Sequence, residues 1–228
     1  MKNSYKHSLV IAVIFATLSS PDSAALGQIA PPPPAPGTMV APGQGAVGEA
    51  APGTVLRIRR KPRLNTRDWR QRTPVFTGSS SRSRAREWGV FEIAYDTAPE
   101  WIDELMVTFT IMAQSTDPAH KERPFSLYKL TVRYTDVPAG RDKLASAILL
   151  PSALLRYGQP IGLAVEFNVN GKVVASESVE TSAILKDRWW ENPAIIDSPK
   201  TVKREGYLVE RGKTPFSLVN IDEFEESR

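Results

Sequence analysis

Apolar and polar residues alternate strictly in several segments of the middle of the chain. Phe91, Ile93 and Tyr95 share one face of WGVFEIAYD, and the same period recurs in LMVTFTIMA, SLYKLTVRY and IGLAVEFNV. Successive side chains of a β-strand point to opposite faces, so a period of two predicts strands with one buried face. KLASAILL is a further strand that ends before Pro151, and Asn170–Gly171 predicts a tight type I′ hairpin turn.

The spacing of these strands predicts the fold class. About seven strands separated by turn signals are typical of an all-β protein, here an immunoglobulin-like antiparallel β-sandwich. The first strand lies in TVLRIRRKPRL, residues 54–64, where Leu56 and Ile58 alternate with arginines. Residues 65–86 lack a sustained period and are interpreted as a long, partly disordered connection. GYLVERGKTPFSLVN predicts a hairpin around Arg211–Lys213.

The beginning of the chain has the pattern of a secretory signal peptide. Lys2 and Lys6 precede the apolar run LVIAVIFATL and a stretch of small residues, so we expect residues 1–27 to be removed on export. An apolar run this short does not cross a bilayer, which requires about 20 residues. The sequence therefore predicts an exported protein in the periplasm, at the outer membrane or on the cell surface.

Composition divides the rest of the chain into further regions. Residues 28–53 consist almost wholly of Pro, Ala and Gly and predict a disordered linker. A basic arm with the first strand follows at 54–86, the sandwich at 87–185, and an extension at 186–228 that we expect to pack on the sandwich. The chain contains no cysteine, so apolar packing replaces the disulfide of many exported domains.

Charge is distributed unevenly, although the formal net charge is only +4. Residues 57–86 contain eleven Lys and Arg residues and one acid, Asp68. Guanidinium groups make forked contacts with phosphate, sulfate or carboxylate, which predicts a surface for an anionic polymer, a glycan or an acidic protein. The alternative is an arm that charge merely keeps soluble. The candidate anion-binding residues are Arg57, Arg59, Arg60, Arg63, Arg67, Arg70 and Arg72.

Two adjacent tryptophans, Trp189 and Trp190, follow the last predicted strand in the segment RWWENP. A tryptophan ring buries a large apolar area, and exposed tryptophans are frequent at the centres of protein interfaces. We expect one ring to dock the extension onto the sandwich and the other to contact a partner. Two exposed rings would instead suit a sugar platform or a protein interface.

The sequence contains few of the residue types that catalytic sites use. The only histidine after the signal region, His120, lies in the polar segment TDPAHKER, and no cysteine is present. The usual ligand set of a zinc site is therefore lacking, and we predict no catalytic residues, no metal site and no cofactor. Paired carboxylates among Glu100, Asp103 and Glu104 would be the basis of a third hypothesis, an envelope hydrolase.

The signal, the Pro-rich linker, the cysteine-free sandwich and the segment VERGKTPFSLVNIDEFEE together resemble a family of secreted proteins. These are the immunoglobulin-like proteins linked to the type IV pilus gene cluster of Akkermansia. The resemblance implies an immunoglobulin-like fold and a role in pilus assembly or host contact. We expect a non-enzymatic protein that acts by contact with envelope or pilus proteins, in pilus assembly or cell-surface adhesion, with a homo-oligomer as a further arrangement. A carbohydrate-binding module for host glycans is the alternative function.

Overall fold

The computed structural model describes residues 56–75 and 86–219, and within them it confirms the all-β sandwich. The described residues form two five-stranded sheets. The first sheet contains β1 (Leu56–Arg60), β2 (Arg70–Arg72), β3 (Glu87–Thr97), β6 (Gly140–Leu149) and β10 (Leu208–Glu210). The second contains β4 (Ile102–Gln114), β5 (Phe125–Val137), β7 (Gln159–Val169), β8 (Lys172–Glu180) and β9 (Thr201–Lys203).

Within residues 56–75 and 86–219, helical structure is confined to single turns and one short helix. The α-helices are α1 (Thr66–Trp69), α2 (Pro151–Tyr157) and α3 (Pro193–Ile196). Turns of 3-10 helix occur at Pro118–His120, Trp189–Glu191, Arg211–Lys213 and Pro215–Leu218. Among the described residues, no helix is long and apolar enough to cross a membrane.

The strand order of the two sheets is simple. The first sheet runs β1-β3-β6-β10, with β2 beside β1 on the same edge of β3, and the second runs β8-β7-β4-β5-β9. Every described pairing is antiparallel except that of β5 with β9. The predicted turn between β7 and β8 is confirmed, because Asn170 and Gly171 both have positive φ, 52° and 78°, as a type I′ turn requires.

The core lies between the inner faces of the sheets, where the alternating apolar residues meet. Tyr95 of β3 and Phe167 of β7 are both 0% exposed, and their ring centroids are 5.2 Å apart. This contact joins one sheet to the other at a place where many sandwiches carry a disulfide. Apolar packing therefore replaces the covalent link, as the sequence predicted.

Residues 65–86 are interpreted from the sequence as a long, partly disordered connection, and the part that the structure describes contains the helix α1 and the strand β2. Asn65 caps α1 by accepting a hydrogen bond from the backbone of Arg67, and Trp69 is only 2% exposed. Its ring stacks on Phe91 with centroids 5.9 Å apart, and its Nε1 donates to the carbonyl of Leu64. Burial of one large ring anchors the basic arm, although elements this short produce no sequence period.

The predicted hairpin around Arg211–Lys213 is wrong. That segment is a turn of 3-10 helix that follows β10, and β10 pairs with β6 instead of with a neighbouring hairpin strand. The chain then crosses the outer face of the first sheet, where Phe216 packs against Val90 and Ile148. The expected signal peptide and linker, residues 1–53, lie outside the described residues.

Candidate functional site

The C-terminal extension docks on the outer face of the second sheet through Trp189. The ring is 0% exposed and packs with Met112 of β4, Ala164 of β7 and Leu185. The strand beneath it carries Gly162, whose position leaves room for the indole to approach the sheet closely. The structure thus places one of the two tryptophans in the interior, where its ring is inaccessible to a partner while the extension is docked.

The local backbone explains why the two tryptophan side chains point in different directions. Arg188 adopts a left-handed conformation, with φ 55°, and a 3-10 turn begins at the next residue. Two nitrogen atoms of Arg188 donate to the carboxylate of Glu191, at 2.9 and 2.7 Å, and this forked pair closes the turn. Adjacent side chains of such a turn diverge, so Trp190 lies beside Trp189 in an edge-to-face contact, with centroids 6.1 Å apart.

Trp190 is half-buried and borders a groove with a volume of about 680 Å³. We call this cavity the Trp190 groove. Its wall on the second sheet includes Thr110 of β4 and Lys129 and Thr131 of β5. Its opposite wall is formed where the chain passes from β9 to β10, and it includes Arg204 and the buried Leu208. The groove therefore lies where the edges of the two sheets approach each other.

An unpaired strand edge lies along this groove. β9 pairs with β5 only over Phe125–Leu127, and the backbone N–H of Arg204 donates to the carbonyl of Leu127 at 2.9 Å. The chain then leaves β5, and no other described strand pairs with this edge of β5. Backbone groups of a strand alternate in direction, so residues 129, 131, 133 and 135 direct their N–H and C=O groups outward. Such an edge can pair with an additional strand.

A cluster of arginine and aromatic side chains supports the far wall. The Nε of Arg204 donates to the Ser126 hydroxyl at 2.8 Å, and its guanidinium lies 3.4 Å from the centroid of the Tyr157 ring. The hydroxyl groups of Tyr157 and Tyr207 are 3.3 Å apart. Beneath this cluster, burial raises the pKa of Tyr128 to about 12. These contacts hold the connection from β9 to β10 against the sandwich, at the point where β9 stops pairing with β5.

The groove contains more positive than negative side chains. Lys203 pairs with Asp197 at 2.6 Å, and Lys213 with Glu210 at 3.4 Å. Lys129 is exposed and has no ion pair within the described part of the chain. Together with the backbone donors of β5, these cations favour a ligand that offers carbonyl or carboxylate oxygens in an extended arrangement.

The seven candidate anion-binding arginines lie on one edge region of the first sheet, but they do not converge on a pocket. Arg59 is 3.5 Å from Asp96 and 3.7 Å from Asp142, and Arg70 is 3.2 Å from Glu87. Arg57 lies opposite Asp96 in the β1–β3 ladder. The others are exposed and form no ion pair among residues 56–75 and 86–219; they are Arg60, Arg63, Arg67 and Arg72.

The residues considered for catalysis are spread apart. Asp103 and Glu104 are neighbours on β4, so their side chains point to opposite faces, and Glu104 pairs with Arg133 at 2.7 Å. The Nδ1 of His120 lies 3.0 Å from the Ser115 hydroxyl, and its ring packs against Tyr157. Asp103 and Glu104 therefore do not face each other across a substrate, as the carboxylate pair of a glycosidase does.

The protein is an all-β sandwich whose C-terminal extension is docked on the second sheet. A protein-family model matches residues 64–228, more than half of the chain, and the chain belongs to this family. The chain is also similar to a protein from Akkermansia muciniphila whose crystal structure is known. The two chains are 25% identical, with a TM-score of 0.59, over 76% of this chain and 94% of that one. No curated protein matches the chain.

Proposed function

We propose that this chain is a non-enzymatic, exported, immunoglobulin-like protein that works by protein–protein contact in a pilus-related or cell-surface adhesion system. The contact surface is the Trp190 groove. The observation that carries this proposal is the half-buried indole of Trp190 beside the unpaired edge of β5. Its partners are envelope or pilus proteins, and its location is the periplasm, the outer membrane or the cell surface.

The geometry favours a protein ligand over a glycan. An extended peptide that joins a strand edge forms regular main-chain hydrogen bonds, and neighbouring pockets select its side chains. The edge of β5 supplies the donors and acceptors, and Trp190 supplies an aromatic surface of the kind that dominates protein interfaces. A sugar platform made of both rings would need Trp189 at the surface, but this ring is buried.

The strand order supports the immunoglobulin type. In constant-type immunoglobulin domains, strands A, B, E and D form one sheet and C, F and G the other. In chain order, β1, β3 and β6 correspond to A, B and E, while β4, β7 and β8 correspond to C, F and G, with the same neighbours. The structural similarity to an Akkermansia protein agrees with the sequence resemblance from which the pilus role is proposed.

A crosslinking experiment tests the proposed surface. A photoreactive residue at position 129, in the groove, is activated in cells that export the protein, and the products are identified by mass spectrometry. We expect a discrete envelope protein that is no longer captured when Trp190 is replaced by Ala. The control places the same residue at position 172, which is exposed on β8, on the opposite edge of the second sheet.

Two results would oppose the proposal. Capture of the same proteins from both positions, or capture that persists undiminished in the Trp190→Ala variant, would mean that the groove is not the contact surface. Crosslinked products that contain carbohydrate and no foreign peptide would instead support glycan binding at the groove.

A further inference from the structure

A second cavity lies between the docked extension and the outer face of the second sheet. Met112 of β4 and Phe125 of β5 line it on the side of the sheet, and Leu185 and Ile195 line it on the side of the extension. It has a volume of about 370 Å³ and shares no lining residue with the Trp190 groove. Sites for small molecules have volumes of about 300–1,000 Å³. We call this cavity the Lys200 pocket.

The lining of the Lys200 pocket includes an apolar side chain that solvent reaches. Ile184 borders the pocket and is 55% exposed, although Leu185 beside it is buried. Removing such apolar surface from water is favourable, and small-molecule sites are lined mostly by apolar groups for this reason. The pocket is therefore suited to a ligand with an apolar body.

Two hydroxyl groups of the lining already have partners within the extension. The hydroxyl of Thr201 donates to the carbonyl of Ile195 at 2.9 Å, and that of Ser198 accepts from the backbone N–H of Lys200 at 3.3 Å. Polar contacts to a ligand therefore fall mainly to the charged side chains of the lining.

Those charged side chains are Lys121 and Lys200. Both are exposed, and neither forms an ion pair within residues 56–75 and 86–219. The backbone N–H of Phe125 donates to the carbonyl of Lys200 at 3.2 Å, and Lys121 belongs to the short loop that precedes Phe125. The two lysines thus stand at the mouth of an apolar pocket without an acidic partner, which favours a ligand with an anionic head.

We propose that the Lys200 pocket binds a free fatty acid, with its carboxylate between Lys121 and Lys200. Its acyl chain lies on Met112 and Phe125 and covers Ile184. Lysine ammonium groups are compact point charges that attract a carboxylate without requiring forked geometry. The volume is near the lower end of the range for ligand sites, which favours one acyl chain over a lipid with two. The inference is independent of the Trp190 groove.

The first test locates the ligand by NMR of the methionine methyl groups in the whole chain. The probe is decanoate, below the concentration at which it forms micelles. Met112 lines the pocket, whereas Met106 lies about 20 Å away on the same strand, because a strand rises about 3.4 Å per residue. We expect a saturable shift of the Met112 methyl signal and an unchanged Met106 signal. Replacing each methionine by leucine assigns the two signals.

Three outcomes of this test would overturn the proposal. One is an unchanged Met112 signal throughout the titration. A second is an equal shift of Met112 and Met106, because it would indicate detergent-like binding over the whole surface. The third is a shift with a short peptide that ends in a free leucine carboxylate and none with decanoate, because this would assign the pocket to the C-terminus of a protein.

The second test measures the part played by charge. Replacing Lys121 and Lys200 by Gln should weaken decanoate binding at least roughly tenfold and leave the binding of decan-1-ol, which has no charge, unchanged. The control replaces Lys61 and Lys172 by Gln, since both are exposed, lie outside the pocket and remove the same net charge. All four lysines are exposed, so both double variants should melt like the wild type.

The comparison of ligands and variants can contradict the proposal in two ways. Equal decanoate affinity of the two double variants would show that Lys121 and Lys200 do not hold the carboxylate. Decyltrimethylammonium has an apolar chain of the same length and the opposite charge, and it is measured on the wild-type protein. Binding of this cation as tight as that of decanoate would show that the pocket does not select an anionic head.

Discussion

The indole of Trp189 lies directly over Gly162 of β7. A Cβ atom at position 162 would stand 3.0 Å from Cζ2 of the ring and would overlap Cδ1 of Leu185. The contact with the ring would be tighter than most real Cβ contacts, and the overlap with Leu185 is one that real Cβ atoms essentially never show, so a side chain here would force both residues to shift. The absence of a side chain in the middle of a strand is therefore what permits Trp189 to be buried.

We expect Gly162→Ala to lower the free energy of unfolding by about 1–3 kcal/mol, because overpacking forces the neighbouring side chains from their positions. Urea denaturation measures the effect. Gly212→Ala is the matched control, since a Cβ at position 212 would meet nothing within 4 Å. Equal stability of the two variants would contradict the close contact between Trp189 and the sheet.

The two tryptophans should differ in their contributions to stability. Trp189→Ala should cost more than about 2 kcal/mol, because a buried ring leaves a cavity. Trp190→Ala should cost less than half as much, since its ring is half-buried, and its main effect should be on partner binding. Thermal unfolding of both variants checks the difference, and two wild-type melting curves would show that neither ring packs.

Stability should fall in alkaline solution because of Tyr128. Its phenol keeps a proton up to a pKa of about 12 in the folded protein, against 10.0 ordinarily, because of burial. As the pH rises through this window, the unfolded chain releases its proton first, so the contribution present below pH 10 is progressively lost. Within this window, the free energy of unfolding should fall by about 1.4 kcal/mol per pH unit. Tyr128→Phe should unfold without this component, and identical pH profiles would contradict the assignment.

The arginines of the basic arm should not contribute equally to anion binding. Arg59 and Arg70 already pair with carboxylates, whereas Arg60 and Arg63 are exposed without such partners in the described chain. Replacing Arg60 and Arg63 by Gln should lower the salt concentration that elutes the protein from heparin more than replacing Arg59 and Arg70 does. Equal elution of the two double variants would show that the ion pairs do not limit binding.

The sequence was informative wherever alternation extended over many residues. The long strands were recognised because residues such as Phe109 and Val165 fall on one face at a period of two. Strands β2, β9 and β10 have three residues each, too few to show a period, and their pairing depends on residues far away in the chain. The formation of these three strands therefore depends on tertiary contacts and not on a local sequence pattern.

The candidate site was predicted only in part. The tryptophan pair drew attention from sequence, and Gly162 within an alternating strand signals a close approach of another element. Arg204 belongs to no recognisable motif. Its guanidinium stacks on Tyr157 at the point where the chain leaves the edge of β5, and only the structure shows this contact. A groove formed where the chain leaves one sheet for the other cannot be read from a local pattern.

The most direct test of the central claim uses Thr131, whose backbone N–H faces outward from the open edge of β5. Proline at this position removes the N–H that a partner strand would use, whereas Thr131→Val keeps it, and both variants should melt like the wild type. The measurement is the affinity of each variant for the envelope protein crosslinked at position 129. We predict at least roughly tenfold weaker binding for Thr131→Pro and unchanged binding for Thr131→Val. Equal affinities would contradict strand addition at the Trp190 groove.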